Sequence, residues 1–257
     1  AVTVGVHPTS PSNEVAYVLD HADCTIVVCE DQEQIDKVVE ARADLPKVKK
    51  IIALENRGLA GYEPGLVMTF DEVEALGRAE YEKSPGLVDE LMREHSLSDI
   101  ALLIYTSGST GKPKGAMLSF RNIRAGANGL LDRYGIGQGW TTLSYLPLCH
   151  VAEQATTIFG PLYSGSQVNF GESLRTVQED LREVAPMTFL GVPRIWEKMH
   201  SGIRVKMYEA RPVQKWLYKT AFDLCSPFAD KPRGQWSLAD KAKYALAYVA
   251  VFRALKN

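Results

Sequence analysis

Cysteine is scarce: there are four in 257 residues, at positions 24, 29, 149 and 225. None of the spacings is CxxC, which removes the usual sequence signatures of a zinc site or a thioredoxin-type redox pair. The pattern reads as reduced thiols of a cytosolic protein. Cys24 and Cys29 are expected at or near the core, because they flank an apolar run. Excess charge is lacking as well. Lys and Arg total 29 against 31 Asp and Glu, a net charge of −2. The chain as a whole therefore exerts no electrostatic pull on nucleic acid or an anionic membrane. Long apolar runs are missing: the longest near the C-terminus covers residues 244–252, whereas a membrane-crossing helix needs about 20 residues. No internal repeat and no low-complexity tract occurs. The first residues, Ala-Val-Thr-Val-Gly-Val, have no charged region of the kind that precedes a secretory leader's apolar core. They read as mid-strand and the last residues as mid-helix, so a piece of a longer chain is expected.

The rest of the sequence is ordinary for a globular protein, with 46% hydrophobic and 23% charged residues. Its length allows one or two domains. Apolar runs at 25–29, 50–54, 67–70, 100–105, 141–146, 167–170 and 187–192 predict strands. Helices are predicted over 14–21 (capped by Ser12 or Asn13), after Asp31, over 71–82, from Ser119 to about 133, and over 151–163 and 173–184. Further helices are predicted after Pro193, around Trp216 and Leu217, and over 238–255. The strand–helix–strand rhythm predicts an α/β fold of layered β-sheets flanked by helices.

The densest chemistry lies in Tyr105-Thr-Ser-Gly-Ser-Thr-Gly-Lys-Pro-Lys-Gly115. Gly108, Gly111 and Gly115 allow tight turns and close backbone approach to a ligand. Thr106, Ser107, Ser109 and Thr110 supply hydroxyls for phosphoryl oxygens, and Lys112 and Lys114 supply positive charge. This is not a Walker A loop, because Pro113 follows Gly111-Lys112 where that motif needs Ser or Thr. A second stretch, Leu143-Ser-Tyr-Leu-Pro-Leu-Cys-His-Val-Ala-Glu153, places His150 between a strand and a helix. Ligands of layered α/β sheets collect at such strand ends. Glu153 is expected on the same helix face, one turn on. A third stretch is Gly191-Val-Pro-Arg-Ile-Trp-Glu-Lys198, whose Arg194 reads as solvated.

The undecapeptide 105–115 closely resembles the phosphate-binding signature of the adenylate-forming (AMP-binding) enzymes. The stretches ending at Glu153 and Lys198, and the segment 7–19, resemble the long-chain fatty acyl-CoA synthetases among them. The resemblance runs in order from about residue 4 to about 200, and more loosely over 205–257. It implies part of the large N-terminal domain, without the C-terminal lid domain, of a long-chain fatty acid–CoA ligase. Such an enzyme uses ATP, Mg²⁺ and coenzyme A, and forms an acyl-adenylate before the thioester. Thr106, Ser107, Gly108, Ser109, Thr110, Gly111 and Lys114 would then hold the β- and γ-phosphates, Lys112 standing at a variable position. His150 would act at the acyl site. Fatty acid and coenzyme A would be the substrates, with no nucleic acid partner. The location would be cytoplasmic, peripheral membrane association being left open. The family's Tyr-Gly-x-Thr-Glu and Thr-Gly-Asp motifs and its lid lysine are absent from the 257 residues, so these alone are expected not to turn over. An aryl- or amino-acid-activating relative, and a non-catalytic nucleotide-binding module, stay open as alternatives.

Overall fold

The computed structural model describes residues 1–106 and 111–256. It divides into two units: Ala1–Leu174 with Pro186–Thr188, and Arg175–Ala185 with Phe189–Asn257.

In the first unit, β2 (Ile26–Cys29), β3 (Lys50–Ala53) and β4 (Val67–Thr69) form a parallel sheet in that order. Their branched side chains suit a pleated surface, of which Cys29, Ile51 and Ala53 are buried while Ile26 and Val28 are exposed. The crossover from β2 to β3 is α2 (Gln32–Glu40), which starts where the Asp31 carboxylate accepts the Gln34 N–H at 3.0 Å. Ile35 and Val38 on its inner face are buried among Leu45, Val48, Ile51 and Ala53. Burying each such aliphatic chain contributes about 1.5–3 kcal/mol. Cys29 lies in this core, and burial, with Asp31 as the lesser cause, pushes its thiol up to about 11. It is therefore an inert packing residue. Cys24 packs at the core's edge.

Before β2 come β1 (Thr3–Val4) and α1 (Ser12–His21). Neither Ser12 nor Asn13 caps α1. Pro11 occupies that position, and the Ser12 hydroxyl instead donates to Glu40, tying α1 to α2. After β4 come α3 (Phe70–Lys83) and α4 (Leu87–Glu94). Sequence periodicity does not predict α4, whose 8 residues are too few to repeat the helical period more than twice. Its Val88, Leu91 and Met92 are exposed.

The second sheet has the order β1-β5-β6, with β5 (Ile100–Thr106) parallel to β1 and antiparallel to β6 (Lys114–Ser119). Between the glycine-rich segment and the helix expected from Ser119 thus lies a strand, β6, that the sequence does not predict. The helix α5 (Phe120–Tyr134) begins one element later. Ser119 caps it in a reciprocal capping box with Asn122. A third, two-stranded parallel sheet pairs β7 (Thr141–Ser144) with β8 (Gln167–Phe170). Between them run α6 (Val151–Glu153), a π-helical turn (Gln154–Phe159) and α7 (Gly160–Ser164). The strand expected at 187–192 is reduced to one bridge, Thr142 with Thr188. Pro186 and Pro193 bracket it, each lacking the N–H a ladder needs.

The second unit is helical: α8 (Val177–Val184), α9 (Pro193–Glu209), α10 (Pro212–Ala229), α11 (Leu238–Ala247), a π-helical turn (Tyr248–Phe252) and α12 (Arg253–Lys256). Its core is Ala221, Cys225, Phe228, Ala247 and Val251. Trp216, about which this helix is predicted, is 64% exposed. The buried stripe is Ala221-Cys225-Phe228, at spacings of four and three. Trp236 completes it, edge-on to Phe228 at 5.0 Å. Among the described residues, no helix is long and apolar enough to cross a membrane.

Candidate functional site

The glycine-rich loop springs from the β5–β6 hairpin. Thr106 is the register partner of Lys114, and Tyr105 that of Gly115. Pairing therefore fixes the backbone of both loop stems. Glycine at position 115 has a steric reason, since a Cβ there would lie 3.2 Å from two carbons of the Tyr105 ring. Its absence lets that ring lie across the neighbouring strand. Thr106 and Lys114 are exposed, as are Gly111 and Lys112. Ser107, Gly108, Ser109 and Thr110 lie outside the described residues.

Helix α1 meets both stems. The Tyr17 hydroxyl donates to the Pro113 carbonyl at 2.9 Å, and His21 Nδ1 is 2.7 Å from the Tyr105 hydroxyl. The Lys112 ammonium lies over the Tyr17 ring, 4.9 Å from its centroid. Burial, with smaller contributions from Tyr17, Cys24 and Asp23, raises the Tyr105 phenol above its usual range. At neutral pH it therefore keeps its proton for hydrogen bonding.

The second stretch leaves β7 through Tyr145 and turns at Pro147, where the His150 N–H donates to the Pro147 carbonyl at 3.0 Å. His150 is exposed and stands at the N-cap of α6. Glu153 does not share its face, which corrects the expectation. It is 2% exposed and turned inward. Its Oε1 accepts from the Ser144 and Thr157 hydroxyls, each at 2.5 Å, and its Oε2 from the Leu146 N–H at 3.2 Å. Gln154 adds a bond from Nε2 to the Leu148 carbonyl at 2.6 Å. The turn bearing His150 is thus held from within by two polar side chains of the helix it leads into. Sequence spacing marked Glu153 but could not tell an inward carboxylate from an outward one.

One segment links the two stretches. Val4 pairs with Leu103 on β5, and Gly5 then runs against Cys149 so closely that a Cβ would meet the Cys149 Cα at 2.7 Å. Two residues on, the His7 ring stands edge-on to His150, centroids 6.0 Å apart. His7, Cys149 and His150 bring their ligand-type atoms within 4.8 Å of one another. His7 Nδ1 accepts the Thr9 N–H at 3.2 Å, which places the proton of the neutral ring on Nε2. Burial raises the Cys149 thiol above its usual range. The Nε2–H of His7 and the Cys149 thiol can donate to an oxygen anion. Between Thr106 and Ser119 there is no Asp or Glu. A Mg²⁺ ion arriving with a nucleotide would find only hydroxyl and carbonyl oxygens on this hairpin.

The third stretch belongs to the second unit. Pro193 opens α9, and the Trp196 indole N–H donates to the Gly191 carbonyl at 2.9 Å. Arg194 is exposed, as expected.

Comparison with known proteins places this arrangement. The sequence profile of the AMP-binding enzyme family matches residues 1–229. The human long-chain-fatty-acid–CoA ligase ACSBG2 is 29% identical over 263 residues, an alignment covering 99% of this chain and 38% of the human protein. The Xenopus laevis protein of the same name is 33% identical over 208 residues, covering 78% of this chain and 28% of its own length. The chain therefore spans well under half of the curated relatives it matches. Among solved structures, the anthranilate CoA ligase AuaEII in complex with anthranoyl-AMP superposes with a TM-score of 0.57 at 19% identity, over 74% of this chain and 35% of that one. ATP-bound MatB from Rhodopseudomonas palustris gives 0.55 at 20% identity, over 77% and 35%. These likenesses establish the fold.

Proposed function

Since the chain belongs to the AMP-binding enzyme family, we propose that it is the phosphate-binding part of a long-chain fatty acid–CoA ligase. The protein carrying it would activate a fatty acid with ATP, release pyrophosphate, and pass the acyl group to coenzyme A. The observation that carries this reading is the β5–β6 hairpin. It aligns Thr106 and Lys114 in register at the mouth of a loop rich in hydroxyls and glycines. Hydroxyls, backbone N–H groups and one lysine form a cradle for phosphoryl oxygens. Such fixed donors stabilise charge at phosphorus without reorganising during the reaction. In this reading Thr106, Ser107, Gly108, Ser109, Thr110, Gly111 and Lys114 hold the β- and γ-phosphates. A Mg²⁺ ion bound with ATP would supply further charge neutralisation. His150 stands on the second loop, beside His7 and Cys149, where donors suit the acyl carboxylate.

The test is ATP–pyrophosphate exchange by the intact protein with a panel of carboxylic acids. Exchange is expected with long-chain fatty acids and not with aryl or amino acids. Exchange driven by one of the latter would reassign the substrate class, and none with any acid would point to a binding module. The His150→Ala variant should raise the KM for fatty acid about tenfold or more, as loss of a charge-assisted hydrogen bond implies, with ATP binding little changed. A collapse of ATP affinity with an unaltered fatty-acid KM would remove His150 from the acyl site.

A further inference from the structure

The hairpin fixes how far apart the loop stems stand, but not the direction in which the loop leaves the sheet. Something outside the sheet must do that. Helix α1 touches the end of β5, through His21 and Tyr105, and the loop on its way back, through Tyr17 and Pro113. Tyr17 and His21 are four residues apart and so lie on one helix face. Their rings are 5.4 Å apart, and the His21 ring is 5.8 Å from that of Tyr105, nearly perpendicular to it. The result is a continuous row, Pro113–Tyr17–His21–Tyr105, that closes across both stems. The helix carrying it is anchored independently: Val15 and Leu19, on its other face, are buried in the core beneath the β2–β3–β4 sheet. The row thus transmits the position of a fixed core to the loop. It also occupies Lys112, whose ammonium rests on Tyr17. That leaves Lys114, on the paired strand, to face a ligand.

We propose that α1 is a brace for the phosphate loop, with Tyr17 and His21 as positioning residues that preorganise it for a triphosphate. The proposal rests on the reading of this loop as the phosphate site. Because the brace acts on the loop, it influences the part of the nucleotide the loop holds. ATP, which carries β- and γ-phosphates, depends on it, and AMP, which lacks them, does not. A residue that merely stabilised the fold would affect both alike.

The experiment measures ATP and AMP affinity by calorimetry on the intact protein, as wild type, Tyr17→Phe, His21→Ala and the double variant, with a thermal melt of each. Tyr17→Phe keeps the ring under Lys112 and removes only the bond to Pro113. It should weaken ATP about three- to tenfold, the usual effect of one lost hydrogen bond. The AMP affinity should stay within about twofold. The double variant should lose more ATP affinity than either single one. If the variants bind ATP and AMP as the wild type does, or lose both in proportion to a fall in Tm, the brace is refuted while the loop assignment stands. If the wild type itself binds ATP no better than AMP, the loop assignment falls and the brace with it.

Discussion

Lys114→Ala is expected to slow fatty-acid-dependent ATP–pyrophosphate exchange by roughly 10²–10³-fold, the usual cost of removing one preorganised electrostatic partner. Lys112→Ala should cost less than about tenfold, since an exposed cation resting on a ring contributes only about 0.5–1 kcal/mol. The two lysines are separated by one proline, and the family resemblance already favours Lys114 over Lys112. The difference comes from the backbone. Lys114 stands on β6 as the register partner of Thr106, so its Cα is held by strand pairing at the loop mouth. Lys112 lies outside the strand and places its ammonium 4.9 Å from the centre of the Tyr17 ring. Lys114→Arg keeps the charge in a different shape, and should restore part of the exchange rate if charge rather than geometry dominates. Exchange assays on the three variants decide the matter; equal losses for Lys112 and Lys114 would end the distinction.

The second large effect is on stability. Glu153→Ala should destabilise the protein by about 2–5 kcal/mol, because it leaves buried donors without their acceptor and opens a cavity. Three donors lose their acceptor at once: the hydroxyls of Ser144 and Thr157 and the N–H of Leu146. Leaving a buried donor unsatisfied costs about 1–3 kcal/mol each, and rotation of the two hydroxyls recovers part of the sum. Glu153→Gln is the informative control. Its amide oxygen can still accept both hydroxyls, but its NH₂ would then face the Leu146 N–H. It should cost less than the alanine, at about 1–3 kcal/mol for the one mismatched pair. Urea unfolding of the three proteins gives the ranking as shifts in midpoint. If glutamine and alanine are equally harmful, the hydroxyl bonds contribute nothing. The Leu146–His150 turn should loosen with the alanine variant, because both Glu153 and Gln154 hold it from the helix side.

Local chemistry made much of this protein legible from its sequence. Asp31 and Ser119 begin helices as their side chains predict, because a cap needs only its own oxygen and an N–H three residues on. The strands at 26–29 and 50–53 follow from short branched runs, and that at 167–170 from the alternation of Val168 and Phe170 with polar residues. The phosphate-loop signature is likewise contiguous, and it pointed to the family without any knowledge of the fold. What the tertiary structure decided involves residues far apart in the chain. Lys114–Ser119 became a strand because β5 offered it a partner, although its own composition is weak in β-formers. The face that Glu153 presents depends on donors supplied by β7. Trp216 lies outside and Cys225 inside because the inner stripe of α10 is whatever meets α11, and local hydropathy does not specify that partner. The brace from Tyr17 to Pro113 spans 96 positions of sequence. Periodicity and capping act over one or two helical turns, whereas these contacts exist only once the packed core has brought distant segments together.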